Sequence, residues 1–195
     1  MQMIWLALAA QLSAPTPLKP WLDRGDTPSH ELMWRGYTEF LIRVTVDPNG
    51  TVQSCGVEES SGKATIDAYT CDLTMKRAHF LPARTEDGKA AYGVFRLSVI
   101  WEMEHYGLKP LEDLTLTVGH LPNGMKSPAT LHVVYAVDTS GRISSCDTQD
   151  EKQDAEMTVL ACNELRKQFS AIPAQVSGTK IPSIQNGLVV VKEGH

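Results

Sequence analysis

The chain has 195 residues, room for one domain or two small ones. Hydrophobic residues make up 42% and charged ones 21%, a globular balance that excludes a disordered tail. Acidic side chains outnumber basic ones 23 to 18, the net charge is −5, and no Lys/Arg cluster occurs, which argues against a nucleic-acid partner.

The first apolar run, Met3–Ala10, is too short to span a bilayer. It suits the core of a secretory signal, with Ala10 or Ala14 as cleavage points, although no Lys or Arg precedes it. The expectation is a signal peptide over residues 1–14 and export. No stretch of about eighteen apolar residues follows, so no membrane-spanning anchor is expected.

Thr27-Pro28 precedes a short helix expected from Ser29 to Arg35, closed by Gly36. Phe40, Ile42, Val44 and Val46 then alternate with Leu41, Arg43 and Thr45, the period of a strand. Asp47-Pro48-Asn49-Gly50 reads as a hairpin turn, since Pro presets φ early and Gly accepts φ > 0 late. Thr51–Glu59 is the returning strand, broken by Ser60-Ser61-Gly62. A helix is expected from Ala64 to His79, stopped by Leu81-Pro82-Ala83. After a polar turn over Thr85–Lys89, Phe95, Leu97, Val99 and Trp101 alternate as a last strand.

A shift of 91 residues lays the second half on the first without a gap. Val46-Asp47-Pro48-Asn49-Gly50 falls on Val137-Asp138-Thr139-Ser140-Gly141, Cys55 on Cys146, Cys71 on Cys162, and Pro82-Ala83 on Pro173-Ala174. Leu97, Val99 and Glu102 fall on Leu188, Val190 and Glu193. The second copy then has strands at Leu131–Val137, Ile143–Thr148 and Leu188–Lys192 and a helix at Glu156–Phe169. Asp113–Val118 alternates as an extra strand of that copy.

The expected fold is α+β: two tandem small ββαβ units over residues 26–104 and 111–195, each an antiparallel sheet covered on one face by a helix. Spacing alone leaves three pairings open for the four cysteines. The duplication selects Cys55 with Cys71 and Cys146 with Cys162, one bridge for each core too small to stand unaided.

Catalytic patterns do not appear. His30-Glu31-Leu32-Met33-Trp34 starts like a zinc motif but lacks its second histidine, and neither G-x-S-x-G nor a phosphate loop is present. No metal, cofactor or enzymatic activity is expected. His79 suits a helix end, and Trp21, Trp34 and Trp101 read as core or interface residues.

Residues 40–102 resemble the C-terminal domain of the TonB energy-transducer family. The marks are the strand ending in Val46-Asp47-Pro48-Asn49-Gly50, then Ser60-Ser61-Gly62, Ile66-Asp67 opening the helix, Arg77-Ala78-His79-Phe80-Leu81-Pro82-Ala83, Gly88, and the strand Val94–Trp101. The second copy is a degenerate version, keeping Val-Asp-x-x-Gly, both cysteines and Pro173-Ala174. The resemblance implies a periplasmic domain that pairs an extended segment of an outer-membrane receptor with the edge of its last strand. Here that edge would present Arg96, Ser98 and Ile100.

The expected function is a non-enzymatic interaction module that takes an extended peptide, or a second copy of itself, by sheet-edge pairing. A component of energy-coupled transmembrane transport acting with outer-membrane receptors, and a secreted enzyme of unrecognised class, stand as alternatives.

Overall fold

The computed structural model describes residues 11–29, 37–102, 106–109, 112–122, 125–149 and 154–194. The signal-like run Met3–Ala10, His30 and Trp34 lie outside them, as does the helix expected at 29–35 apart from Ser29. In chain order the strands are β1 (Thr16–Pro17), β2 (Tyr37–Val46), β3 (Val52–Glu59), β4 (Phe80–Leu81), β5 (Ala83–Arg84), β6 (Ala90–Ala91), β7 (Gly93–Glu102), β8 (Tyr106–Lys109), β9 (Leu114–Val118), β10 (Ala129–Val137), β11 (Ile143–Thr148), β12 (Ala174–Val176), β13 (Thr179–Ile181) and β14 (Ser183–Glu193). Helix α1 (Ala64–Arg77) follows β3 and α2 (Ala155–Gln168) follows β11. Among the described residues no helix is long and apolar enough to cross a membrane.

Each local element has a local cause. Asp47 accepts from the Asn49 and Thr51 amides and holds the β2–β3 turn. Gly50 sits at φ +83°, where an added Cβ would overlap the Phe80 carbonyl oxygen; Gly141, at φ +90°, stands in the same relation to Ala171. These two positions require glycine for both its positive φ and the close backbone approach.

Helix α1 has no side-chain cap at Lys63. Its first turn is instead tied back by Asp67, which accepts from the Ser60 hydroxyl at 2.5 Å and the Ser61 amide at 3.0 Å. Burial works against the Asp67 charge, yet the Ser60 and Ser61 hydrogen bonds hold its carboxyl below the usual range. A depressed native pKa stabilises the fold above the unfolded value of about 4 and loses that contribution as pH falls through the native value. Asp67→Ala is therefore expected to cost about 1–2 kcal/mol at pH 7 and to flatten the acid limb of the stability curve below about pH 4, measured by urea titration across pH. In the second half Asp154 stands at the N-cap position held by Lys63 in the first and caps α2 directly, accepting from the Glu156 and Met157 amides.

The inner face of α1 is built on threonine. Thr70 and Thr74 are buried and donate to the carbonyls of Ile66 and Thr70, one turn back. Their hydroxyl oxygens accept the indole N–H groups of Trp101 at 3.0 Å and Trp21 at 3.1 Å. Two large aromatic residues are thus buried with their polar atoms satisfied. Each helix is also bridged to the neighbouring strand, Cys55 to Cys71 and Cys146 to Cys162, with Cα separations of 5.4 and 5.6 Å.

The tertiary arrangement corrects the expected fold class. The halves do not form two separate antiparallel sheets each under its own helix. They share one mixed sheet of eight strands with the path β11-β10-β14-β7-β2-β3. The joint is a parallel contact of β14 with β7, pairing Ile184 with Gly93 and Gln185 with Val94. Beyond it the two strands diverge, as twisted strands do. The gap receives β8, antiparallel on β7, and β9, parallel on β14.

Side-chain alternation fixes the layers. Odd residues of β7 (Leu97, Val99, Trp101) pack with Ile66 and Leu73 of α1. Odd residues of β14 (Val189, Val191) pack with Met157 and Leu165 of α2. Since Gly93 and Ile184 stand level in parallel strands, odd β7 and odd β14 positions face opposite ways. The helices therefore cover opposite faces of the common sheet.

The ungapped offset also fails at the closing strand. Val46 pairs with Gly93, and its counterpart Val137 pairs with Ser183, so the spacing there is 90 and not 91. Val99 corresponds to Val189, and Leu97 to Gly187, in place of Val190 and Leu188. The lost residue lies in the preceding hairpin. β12 and β13 join through Ser177-Gly178, a tight turn with φ of 50° and 79°, where the first half uses the longer loop Thr85–Lys89. A slip of one residue turns Leu188 and Val190 to the face away from α2.

The N-terminal segment belongs to the fold from Gln11 onward. Leu12 and Ala14 pack with Ala83, Val134 and Ile184, Ser13 exchanges backbone hydrogen bonds with Arg84, and β1 pairs with β4.

Candidate functional site

The strand expected to offer a peptide edge lies inside the sheet. β7 is paired along its whole length with β2. On its other side Gly93 and Val94 meet β14, and Ser98–Trp101 meet β8. Between those contacts the Asn186 carboxamide acts as a short strand: its Oδ1 accepts from the Arg96 amide at 2.9 Å and its Nδ2 donates to the Arg96 carbonyl at 3.0 Å. Arg96, Ser98 and Ile100 consequently offer no backbone edge to a partner. Edge pairing by this strand is used to join the halves.

The Arg96 side chain has a different task. It is 4% exposed and points to the α2 face, where it meets both carboxylates of a buried cluster. Its Nε and Nη2 donate to Glu58 at 3.0 and 2.7 Å, and Nη1 donates to Asp113 and to the Tyr135 hydroxyl, the latter at 3.2 Å. The guanidinium lies 5.5 Å over the Phe169 ring, itself edge-on to Tyr135. Asp113 also accepts from the Leu188 amide. Glu58 and Arg96 come from the first half, and Asp113, Tyr135 and Phe169 from the segment joining the halves and the second half, so the cluster is a polar lock across the seam.

Burial opposes the Arg96 charge, but the Glu58 hydrogen bonds and the surrounding anionic groups raise its pKa above the ordinary value. Burial pushes the Asp113 carboxyl up against the pull of Arg96, and it pushes the Tyr135 phenol up as well. Gly187 makes the room: a Cβ there would stand 2.7 Å from Tyr135 Cε1 and closer still to Asp113 Oδ2. Arg43, beside Arg96 in register, turns away and donates to the Ile172 carbonyl at 2.7 Å.

Among the described residues β8 and β9 each pair with one neighbour, and the main path of the sheet ends in the outer strands β3 and β11. β3 is the longer, Val52–Glu59, and Val57 on it is exposed. On the face away from α1 a groove of about 390 Å³ runs over Arg43, Thr45, Ser54 and Gly56, walled by Ile172 and the β12–β13 hairpin. Gly56 leaves its floor open; a Cβ would meet Arg43 Cγ only at 3.5 Å, an ordinary contact.

Other residues singled out by the sequence have structural positions. Trp21 and Trp101 are core, and His79 lies just past α1, exposed, in a bridge with Thr51. Among the described residues no group of three or more His, Cys, Asp or Glu side chains is placed to hold a metal ion. Glu58, Asp113, Tyr135, Asn186 and Gly187 were not legible as a site. Arg96 alternates with the apolar residues Phe95 and Leu97, Glu58 lies on the largely polar β3 and Asp113 precedes β9, so no spacing in the sequence marked them as one cluster. No family model, curated protein or solved structure matches the chain.

Proposed function

We propose that the protein is an exported, non-catalytic interaction module that accepts an extended segment on the outer edge of β3. The observation that carries this reading is the eight-residue β3 edge, stapled to α1 through Cys55 and flanked by an open groove. An added strand would gain affinity from backbone hydrogen bonds and place alternate side chains in the groove over Gly56. The two disulfides suit an oxidising compartment such as the periplasm. In this reading the chain is a divergent relative of the TonB C-terminal family whose closing-strand edge has turned inward, leaving the opposite edge for a partner.

Selection from a displayed library of extended peptides tests it. Bound peptides are expected to protect amides of Val52–Glu59 from hydrogen exchange. Gly56→Val, which the backbone tolerates, is expected to weaken them at least tenfold by narrowing the groove. Protection confined to β11 or β8, or a selection that yields no binders, would overturn the assignment.

A further inference from the structure

The common sheet has a notch on each face where β7 and β14 part. On the α2 face it is filled by Arg96 reaching Glu58 and Asp113. By the pairing of the outer strands, Glu58 of the first half corresponds to Gln149 of the second. By the register of the closing strands, Arg96 corresponds to Asn186. On the α1 face the charged pair is thus replaced by two carboxamides. Asn186 is too short to cross its notch and folds back on the Arg96 peptide. What remains is a cavity of about 280 Å³, walled by Pro15, Pro17, Trp21, Phe95 and Leu97, with His132 and Gln149 exposed at its rim.

We propose that this cavity is a binding site for a neutral, flat, ring-containing small molecule of about two fused aromatic rings. Size sets the upper limit, since an apolar cavity of about 150 Å³ already accepts benzene. Ring shape follows from the walls. Trp21 and Phe95 stand edge to face, 6.2 Å apart, and the Trp21 N–H is already bonded to Thr74, so the indole offers carbon surface. Neutrality follows from the exchange of Arg and Glu for Asn and Gln. The Arg96 guanidinium is committed to the other face, and a charged ligand would lose hydration with no carboxylate or guanidinium to answer it. The Gln149 carboxamide and His132 at the rim offer hydrogen bonds to one polar substituent.

The test is calorimetric titration of the whole chain with 2-naphthol, followed in parallel by the Trp21 indole N–H signal in NMR. Saturable binding is expected, with 2-naphthoate and naphthalen-2-ylmethylammonium each at least tenfold weaker. His132→Trp, at an exposed rim position, is expected to weaken 2-naphthol at least tenfold by covering the mouth. Gln149→Glu, which rebuilds the acid of the filled notch, is expected to shift preference toward the ammonium probe by at least fivefold. Absence of saturable 2-naphthol binding, equal affinity for the charged probes, or unchanged affinity in both variants would each overturn the proposal. The β3-edge variant Gly56→Val lies outside the cavity and is expected to leave 2-naphthol binding unchanged, so this site and the peptide edge stand or fall separately.

Discussion

Arg96→Met is expected to destabilise the protein by about 3–5 kcal/mol, the range for removing one partner of a buried ion pair. The reason is what stays behind. The Asp113 side chain is 0% exposed, and without the guanidinium the Leu188 amide is the donor left to its charge among the described residues. Tyr135 and Glu58 lose their donor at the same time. The second substitution that separates this from lost packing is Asp113→Asn, which keeps an acceptor for the Leu188 amide and removes the charge. The double variant is expected to recover at least half of the loss. The pH dependence has a definite sign. In Arg96→Met the Asp113 carboxyl is raised further by burial with its cation gone, so the native state holds a proton the unfolded chain releases near pH 4. Stability relative to the parent then falls as pH rises from about 4 and levels above the raised native pKa. Urea midpoints at several pH values give the result; a loss below 1 kcal/mol at pH 7 would show that the seam does not depend on this lock.

Removing the bridges has the next largest effect. Each disulfide closes a loop with a sequence separation of 16 and joins a helix to a strand. The chain-entropy model assigns about 3 kcal/mol to a loop of that size, so losing both approaches the whole stability of an ordinary domain, about 5–15 kcal/mol. Cys55→Ala with Cys71→Ala, and Cys146→Ala with Cys162→Ala, are each expected to lower the urea midpoint by a similar amount. Reduction of the parent with dithiothreitol is expected to unfold most molecules at 37 °C. The shared sheet adds a further expectation. Either pair of substitutions should lower one common transition in circular dichroism and tryptophan fluorescence, because β7 and β14 tie the halves together. Two separated transitions, with only the substituted half melting early, would show that the halves fold independently.

The same construction bears on recognition. The closing strand β7 is held by β2, β14, β8 and the Asn186 amide, so its backbone is occupied within the chain itself. The proposed strand addition is therefore assigned to an outer edge, and the seam has two notches of opposite character, one charged and closed, one neutral and open.

What the sequence determined by itself was local. Period-two alternation placed the hairpin strands within a few residues, because a half-buried strand writes its two faces directly into residue order. Asp47 to Gly50 specified the turn, and the duplication selected both disulfides that the structure contains. Only the tertiary structure decided how the halves meet. Sheet edges join through backbone groups that every residue carries, so no side-chain pattern announces that β14 will lie beside β7. Nor could an ungapped alignment reveal the missing hairpin residue, since Leu188 and Val190 are as apolar as Val189 and Val191 and either register looks like a strand. That single residue decides which face each side chain takes, sets Asn186 opposite Arg96, and makes one notch a lock and the other a cavity.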